Sequence, residues 1–125
     1  MEQIVHRLPD AELEVMQAIW SCPPPVSRAD IENLLHERRP MAVTTILTLL
    51  TRLTDRGFLA VDKCGRSNCY TPLVSKQDYL ASQSKRFFDK LCGGDLYTFA
   101  AALCDSGLSK SDIDELRRLL ERGEL

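Results

Sequence analysis

Apolar residues recur at helical spacing through most of the chain, and the pattern changes only between residues 58 and 73, where short apolar runs flank a Gly-containing turn. The first helix is predicted from Pro9 to Trp20. Pro9 suits a first turn, Asp10 and Glu12 complement the positive end of the helix dipole, and Leu13, Met16, Ile19 and Trp20 form the inner stripe. Cys22-Pro23-Pro24-Pro25 ends it, because successive prolines deny backbone donors. Val26 is read as a very short extended segment. Ser27, with Asp30 three residues later, forms a capping-box pattern opening a helix over Arg28 to Glu37, with Ile31, Leu34 and Leu35 inward.

A third helix occupies the stretch Ala42 to Gly57, and Gly57 is its natural stop. At roughly 100° per residue, Thr44, Thr45, Thr48, Thr51, Arg52 and Asp55 fall within an arc of about 120°. Ala42, Val43, Ile46, Leu47, Leu49, Leu50 and Leu53 fill the other side. Threonine is an uneconomical choice for a plain helix surface, since its β-branch restricts rotamers. Short hydroxyl side chains do suit phosphates and thymine methyls in a major groove. Taken alone, the arc reads equally as a DNA-contacting face or as a Thr-rich solvated one.

Phe58 to Lys63 and Cys69 to Leu73 read as two strands, with Cys64-Gly65-Arg66-Ser67-Asn68 as the turn of a hairpin. Three helices followed by a hairpin give a winged helix-turn-helix over residues 1–74. In that fold the turn before the third helix and the hairpin tip are the DNA-facing parts. The candidate DNA-binding residues are Thr44, Thr45, Thr48 and Arg52 on the third helix, Arg66 at the tip, Ser27 at the head of the second helix, and Arg39 in the turn between helices.

From residue 75 to 125 the pattern is helical only. Ser75 with Asp78 opens a helix to about Cys92, Gly93-Gly94 stops it, Asp95 starts the next, and Ser109 with Asp112 caps the last. Phe87, Phe88, Leu91, Leu96, Phe99, Leu103, Ile113, Leu116 and Leu120 are its main apolar residues, with no sheet to cover. They are predicted to form a dimerisation region that buries itself against a second copy. The fold class is thus mainly α, in the α+β sense.

Composition adjusts this picture in two ways. The net charge of −2 is not that of a generally basic nucleic-acid binder. Between residues 36 and 66, however, Arg38, Arg39, Arg52, Arg56, Lys63 and Arg66 outnumber Glu37, Asp55 and Asp62, so the local balance is positive where contact is expected. An apolar run of membrane-spanning length is missing from the sequence, as is an apolar signal-type core near the N-terminus, and a cytoplasmic protein without membrane insertion is expected.

Catalytic chemistry has little support. The sequence holds no nucleophile elbow, Gly-rich phosphate loop or paired-His motif, and His6 and His36 read as surface residues. No enzymatic activity, cofactor or metal is expected. Five cysteines at these spacings do not suggest a disulfide framework. Cys64 and Cys69 bracket the hairpin tip; they read as two free thiols, with a thiol-responsive regulator as an alternative. Cys22, Cys92 and Cys104 read as small apolar side chains. A winged-helix protein-interaction module without DNA binding is a further alternative, favoured by the acidic total charge.

The runs LPDAELEVMQAIW, TTILTLLTRLTDRGFL, FFDKLCGGDLYTFAAAL and LSKSDIDELRRLLE, in this order, resemble the penicillinase-repressor (BlaI/MecI) family from about Leu8 to Glu121. The resemblance implies a dimeric winged-helix transcriptional repressor in antibiotic resistance. It would bind a palindromic double-stranded DNA operator, commonly with TACA and TGTA half-sites. It places Thr44, Thr45, Thr48 and Arg52 on the recognition helix and Arg66 on the wing. It also implies a membrane sensor protease pathway that inactivates the repressor by cleavage in the helix after the Gly-Gly turn. By alignment that bond is Ala102-Leu103, and the familiar Asn-Phe pair is absent there. The paired Cys-x-Cys motifs of copper-responsive members are absent too.

Overall fold

A computed structural model of the chain describes residues 6–123. Its elements are α1 (Asp10–Trp20), β1 (Val26–Ser27), α2 (Arg28–Arg38), α3 (Val43–Asp55), β2 (Leu59–Cys64), β3 (Ser67–Pro72), α4 (Lys76–Arg86), a π-helical turn (Phe87–Leu91), α5 (Leu96–Asp105) and α6 (Lys110–Arg122). The chain divides into two compact units, Met1–Ser82 and Gln83–Leu125. No helix among the described residues is long and apolar enough to cross a membrane.

The first unit is a winged helix-turn-helix. Its three strands form an antiparallel sheet in the order β1-β3-β2, with Val26 opposite Tyr70 and Ser27 opposite Cys69 on one side of β3. On the other side six pairs run from Leu59 opposite Pro72 to Cys64 opposite Ser67. That register leaves a two-residue turn, Gly65-Arg66, shorter than the sequence pattern implies. Gly65 has a φ of +73°, and among the described residues none other than glycine has positive φ, which is the pattern of a type II′ hairpin turn. Gly57, at φ +83°, turns the chain from α3 into the sheet.

The core of this unit joins Val15, Met16 and Ile19 of α1, Ile31 and Leu35 of α2, and Ile46, Leu49, Leu50 and Leu53 of α3 to Phe58, Leu59 and Tyr70 of the wing. Burying each large aliphatic contributes roughly 1.5–3 kcal/mol, so these positions fix how α3 lies across α1 and α2. The start of α4 belongs here as well. The Tyr79 hydroxyl accepts from the Leu8 N–H at 2.9 Å, and its ring packs on Trp20 and Phe58 at centroid distances of 5.7 and 6.1 Å. Trp20 donates its indole N–H to the Val74 carbonyl at 2.9 Å.

Glu12 departs from the expected dipole role. It is 1% exposed, on the same buried stripe as Val15, Met16 and Ile19, and its Oε2 accepts from Arg56 Nη1 at 2.7 Å. A carboxylate taken out of water needs such a partner. The pair ties α1 to the C-terminal end of α3.

In the second unit, the helix expected to reach Cys92 instead loosens into the π-helical turn after Arg86. Phe87 and Phe88 of that turn pack edge-on against Phe99 of α5, at 5.8 and 5.5 Å. The Asp95 carboxylate caps α5 at the Thr98 N–H, and Ser109 with Asp112 forms a complete capping box on α6. Neither α5 nor α6 contains a buried residue. Leu91, Leu96, Tyr97 and Leu120 are 76, 70, 82 and 62% exposed.

Candidate nucleic-acid interface

Helix α3 presents the polar arc expected of it. Thr44, Thr45, Thr48, Thr51, Arg52 and Asp55 are all exposed, while Ile46, Leu49, Leu50 and Leu53 are buried. Two residues assigned to the apolar side differ. Ala42 and Val43 lie at the start of the helix and are exposed, Val43 by 48%.

Two hydroxyls of the arc are already committed as donors. Thr48 Oγ1 donates to the Thr44 carbonyl and Thr51 Oγ1 to the Leu47 carbonyl, both at 3.0 Å. A threonine bonded back in this way offers its surroundings an acceptor oxygen and a methyl group, not a donor. Thr48 therefore suits a base amino group or a thymine methyl better than a phosphate.

The start of α3 has a feature that the hydrophobic pattern does not mark. Helices α2, α4, α5 and α6 all begin with a side chain accepting from a first-turn N–H, from Ser27, Ser75, Asp95 and Ser109 respectively. At α3 the capping position is Ala42, with no side-chain cap and no acidic residue in the first turn. The first-turn N–H groups and the positive end of the dipole are left facing outward, which is a favourable place for an anionic oxygen. Ala42 was the available signal, since α2, α4, α5 and α6 carry Ser or Asp there, and α1, which starts at Pro9 without a side-chain cap, has Asp10 and Glu12 in its first turn.

Other assigned residues are distributed around this helix. Ser27 is half-buried; its hydroxyl accepts from the Asp30 N–H at 3.1 Å, and its backbone pairs with β3, which joins the head of α2 to the wing. Arg39 is exposed at the end of α2. Arg66 is exposed at the hairpin tip beside Lys63. The positive cluster is smaller than the sequence count implies. Arg38 pairs with Glu14 at 3.2 Å and Arg56 with Glu12 at 2.7 Å, so Arg39, Arg52, Lys63 and Arg66 remain outside the ion pairs of the described residues.

The wing also holds a bond that the cysteine spacings did not suggest. Cys64 and Cys69, read as free thiols, are joined as a disulfide across the hairpin, with Cα atoms 5.7 Å apart. Cys22, Cys92 and Cys104 are free. No group of three or more His, Cys, Asp or Glu among the described residues is placed to hold a metal ion. In the second unit, Ala102 and Leu103 are half-buried within the regular helix α5.

The family model of the penicillinase repressor matches residues 8–122. The chain belongs to the penicillinase repressor family. It is a BlaI/MecI-type regulator with a winged-helix DNA-binding domain, and members of this family are transcriptional repressors, not enzymes. It is 31% identical to the penicillinase repressor of Bacillus licheniformis over 94% of this chain and 91% of that one. To the methicillin resistance regulatory protein MecI of Staphylococcus aureus it is 29% identical, over 98% of this chain and 99% of that one. A 16.5 kDa protein of Latilactobacillus sakei, whose function is uncharacterised, is 36% identical over 96% of this chain and 82% of its own length. Among solved structures, the monomeric form of Bacillus licheniformis BlaI in complex with the blaP half-operator is similar with a TM-score of 0.52 and 34% identity. That match covers 61% of this penicillinase-repressor family member and 92% of the BlaI chain.

Proposed function

We propose that this family member represses transcription by binding, as a homodimer, a palindromic operator in double-stranded DNA. Helix α3 of each protomer enters a major groove, with Thr48 and Arg52 at base edges and Thr44 and Thr45 toward the backbone at the uncapped helix start. Arg66 holds a flanking phosphate or minor groove from the wing tip, and Arg39 reaches the backbone beside the turn. The observation that carries this reading is the exposed Thr/Arg arc of α3 rising from an N-terminus left without a cap. The half-operator bound by the BlaI relative supports it.

The homodimer rests on the second unit, whose apolar face is left open on each chain. Ile113, Leu116 and Leu120 form an apolar stripe along α6, with Arg117 and Glu121 along one side of it. Two such faces brought together by a twofold axis would remove that surface from water and set the spacing of two half-sites.

Selection of random duplexes by the full chain at moderate salt, followed by sequencing, tests the proposal. An enriched inverted repeat with its half-sites about one helical turn apart, bound with two chains per duplex, is the expected result. Enrichment of no repeat at any salt concentration would reject it.

A further inference from the structure

Cys64 ends β2 and Cys69 lies two residues past the start of β3, on either side of the Gly65-Arg66 turn. Because Cys64 pairs with Ser67 and Asp62 pairs with Cys69, all four side chains share one face of the hairpin, and the two sulfurs meet diagonally. Their Cα separation of 5.7 Å falls in the middle of the range that a disulfide spans. This closeness comes from the strand register, which the buried Leu59 and Tyr70 hold, so the two thiols stay within reach of each other when the bond opens and the Gly65-Arg66 tip loosens.

The bridge ties the hairpin only to itself. It spans five positions in sequence and links none of the helices of the first unit, whose core is complete without it. Opening it therefore leaves the fold in place and changes one thing, the freedom of the tip that carries Arg66. The two sulfurs also differ in access. Cys64 is exposed, whereas Cys69 is 6% exposed on the central strand, opposite Ser27 at the head of α2.

We propose that Cys64 and Cys69 form a reversible dithiol–disulfide site that sets the DNA affinity of the wing, the disulfide form binding tighter. The affinity part rests on the DNA-binding reading above; the thiol chemistry does not. The oxidant class is a peroxide. The exposed Cys64 thiolate attacks one peroxide oxygen, forming an S–O bond as the O–O bond breaks, and the leaving hydroxide takes a proton to become water. The Cys69 thiolate then attacks the Cys64 sulfur, the S–S bond forms, and the S–O bond breaks to release a second water. Two thiols have supplied two electrons and two protons to one peroxide. A dithiol reverses the step by exchange, becoming a disulfide itself.

Closure holds the Gly65-Arg66 turn in the hairpin geometry, so the free protein already carries Arg66 where the backbone contact is made. In the open form the tip must be ordered on binding. That cost, for one long side chain and its turn, corresponds to about a twofold to tenfold loss of affinity.

Full-length protein treated with hydrogen peroxide and then compared with protein kept in dithiothreitol provides the test. Peptide mapping should show a Cys64–Cys69 linkage in the first sample and two free thiols in the second. Hydrogen exchange of the β2 and β3 amides near the turn should be slower in the linked form, without DNA present. Operator affinity should fall about twofold to tenfold on reduction in the wild type and stay constant in Cys64→Ser, a substitution at an exposed position. Peroxide that leaves Cys64 and Cys69 unlinked overturns the proposal. Linkage with equal affinities in the two forms overturns its regulatory part. Failure of both forms to bind any operator, with linkage and exchange as expected, rejects the DNA-binding reading while the thiol site stands.

Discussion

Removing Arg56 isolates a carboxylate that the fold has taken out of water. Glu12 has a side-chain exposure of 2%, its Oε2 is 2.7 Å from Arg56 Nη1, and its Oε1 is buried without a hydrogen-bond partner among the described residues. Breaking a buried pair by deleting one member costs about 3–5 kcal/mol. Arg56 is 44% exposed, however, so water can replace part of the guanidinium, and about 2 kcal/mol is the expected loss for Arg56→Ala. For a domain of this size that lowers Tm by about 8–16 °C. The chain carries its own control. Arg38 and Glu14 are 3.2 Å apart with both side chains partly exposed (44% and 33%), and Arg38→Ala should cost only about 0.5 kcal/mol. The assay is urea unfolding at fixed protein concentration without DNA, followed by fluorescence of Trp20, the single tryptophan, which sits in the first unit. Double-mutant cycles should give a coupling of about 2 kcal/mol for Glu12 with Arg56 and no more than about 0.5 kcal/mol for Glu14 with Arg38. Equal couplings for the two pairs would refute the reasoning that burial of Glu12 makes its pair the stronger one.

Three further outcomes are expected. Thr48→Ala should lower the ratio of operator to scrambled-DNA affinity by about fivefold with a small loss on scrambled DNA, whereas Arg66→Ala should weaken both and reduce the salt slope by about 1; competition titrations at several salt concentrations separate them. Leu116→Glu with Leu120→Glu should give a monomer in sedimentation equilibrium with Trp20 unfolding unchanged, and a persistent dimer would show that this face of α6 is not the interface. The Thr98 hydroxyl and then its N–H hold the Asp95 carboxyl below its ordinary 3.8. Because the folded value is the lower one, this cap stabilises α5 fully above pH 3.8 and is lost as pH falls through the folded value. Asp95→Ser keeps a neutral cap, so helical circular dichroism should decline less below pH 3.8 in the variant; superimposable acid titrations would contradict this.

Local signals in the sequence were strong wherever an element depends on its own residues. Pro9, the three prolines after Cys22, the Ser27, Ser75 and Ser109 caps and Gly57 mark helix ends because they act on the backbone within one turn. The period of Ile46, Leu49, Leu50 and Leu53 separated the buried side of α3 from its Thr/Arg arc, so the exposed arc was legible from periodicity alone, but what it meets was not. The uncapped start of α3 was equally legible in Ala42, but only by comparison with the other helix starts. Glu12 also lies at helical spacing from Val15, Met16 and Ile19, but its charge pointed to the dipole role at the helix start and its burial was missed.

Long-range partnerships lay outside that reach. No spacing rule connects Glu12 with Arg56, or Arg38 with Glu14, because each pair meets only after α1, α2 and α3 have packed. The pairing of Cys64 with Cys69 followed from a two-residue turn, whereas the sequence allowed a longer one, and a change in register would separate the sulfurs. The π-helical turn that aims Phe87 and Phe88 at Phe99 is likewise a product of packing, not of local preference. Sequence by itself determined the order of elements, the polar face of α3 and the apolar surplus of the C-terminal helices, since these depend on residues a few positions apart. Tertiary structure decided which charges are spent inside the protein and which face outward, because burial and partnership belong to the packed chain.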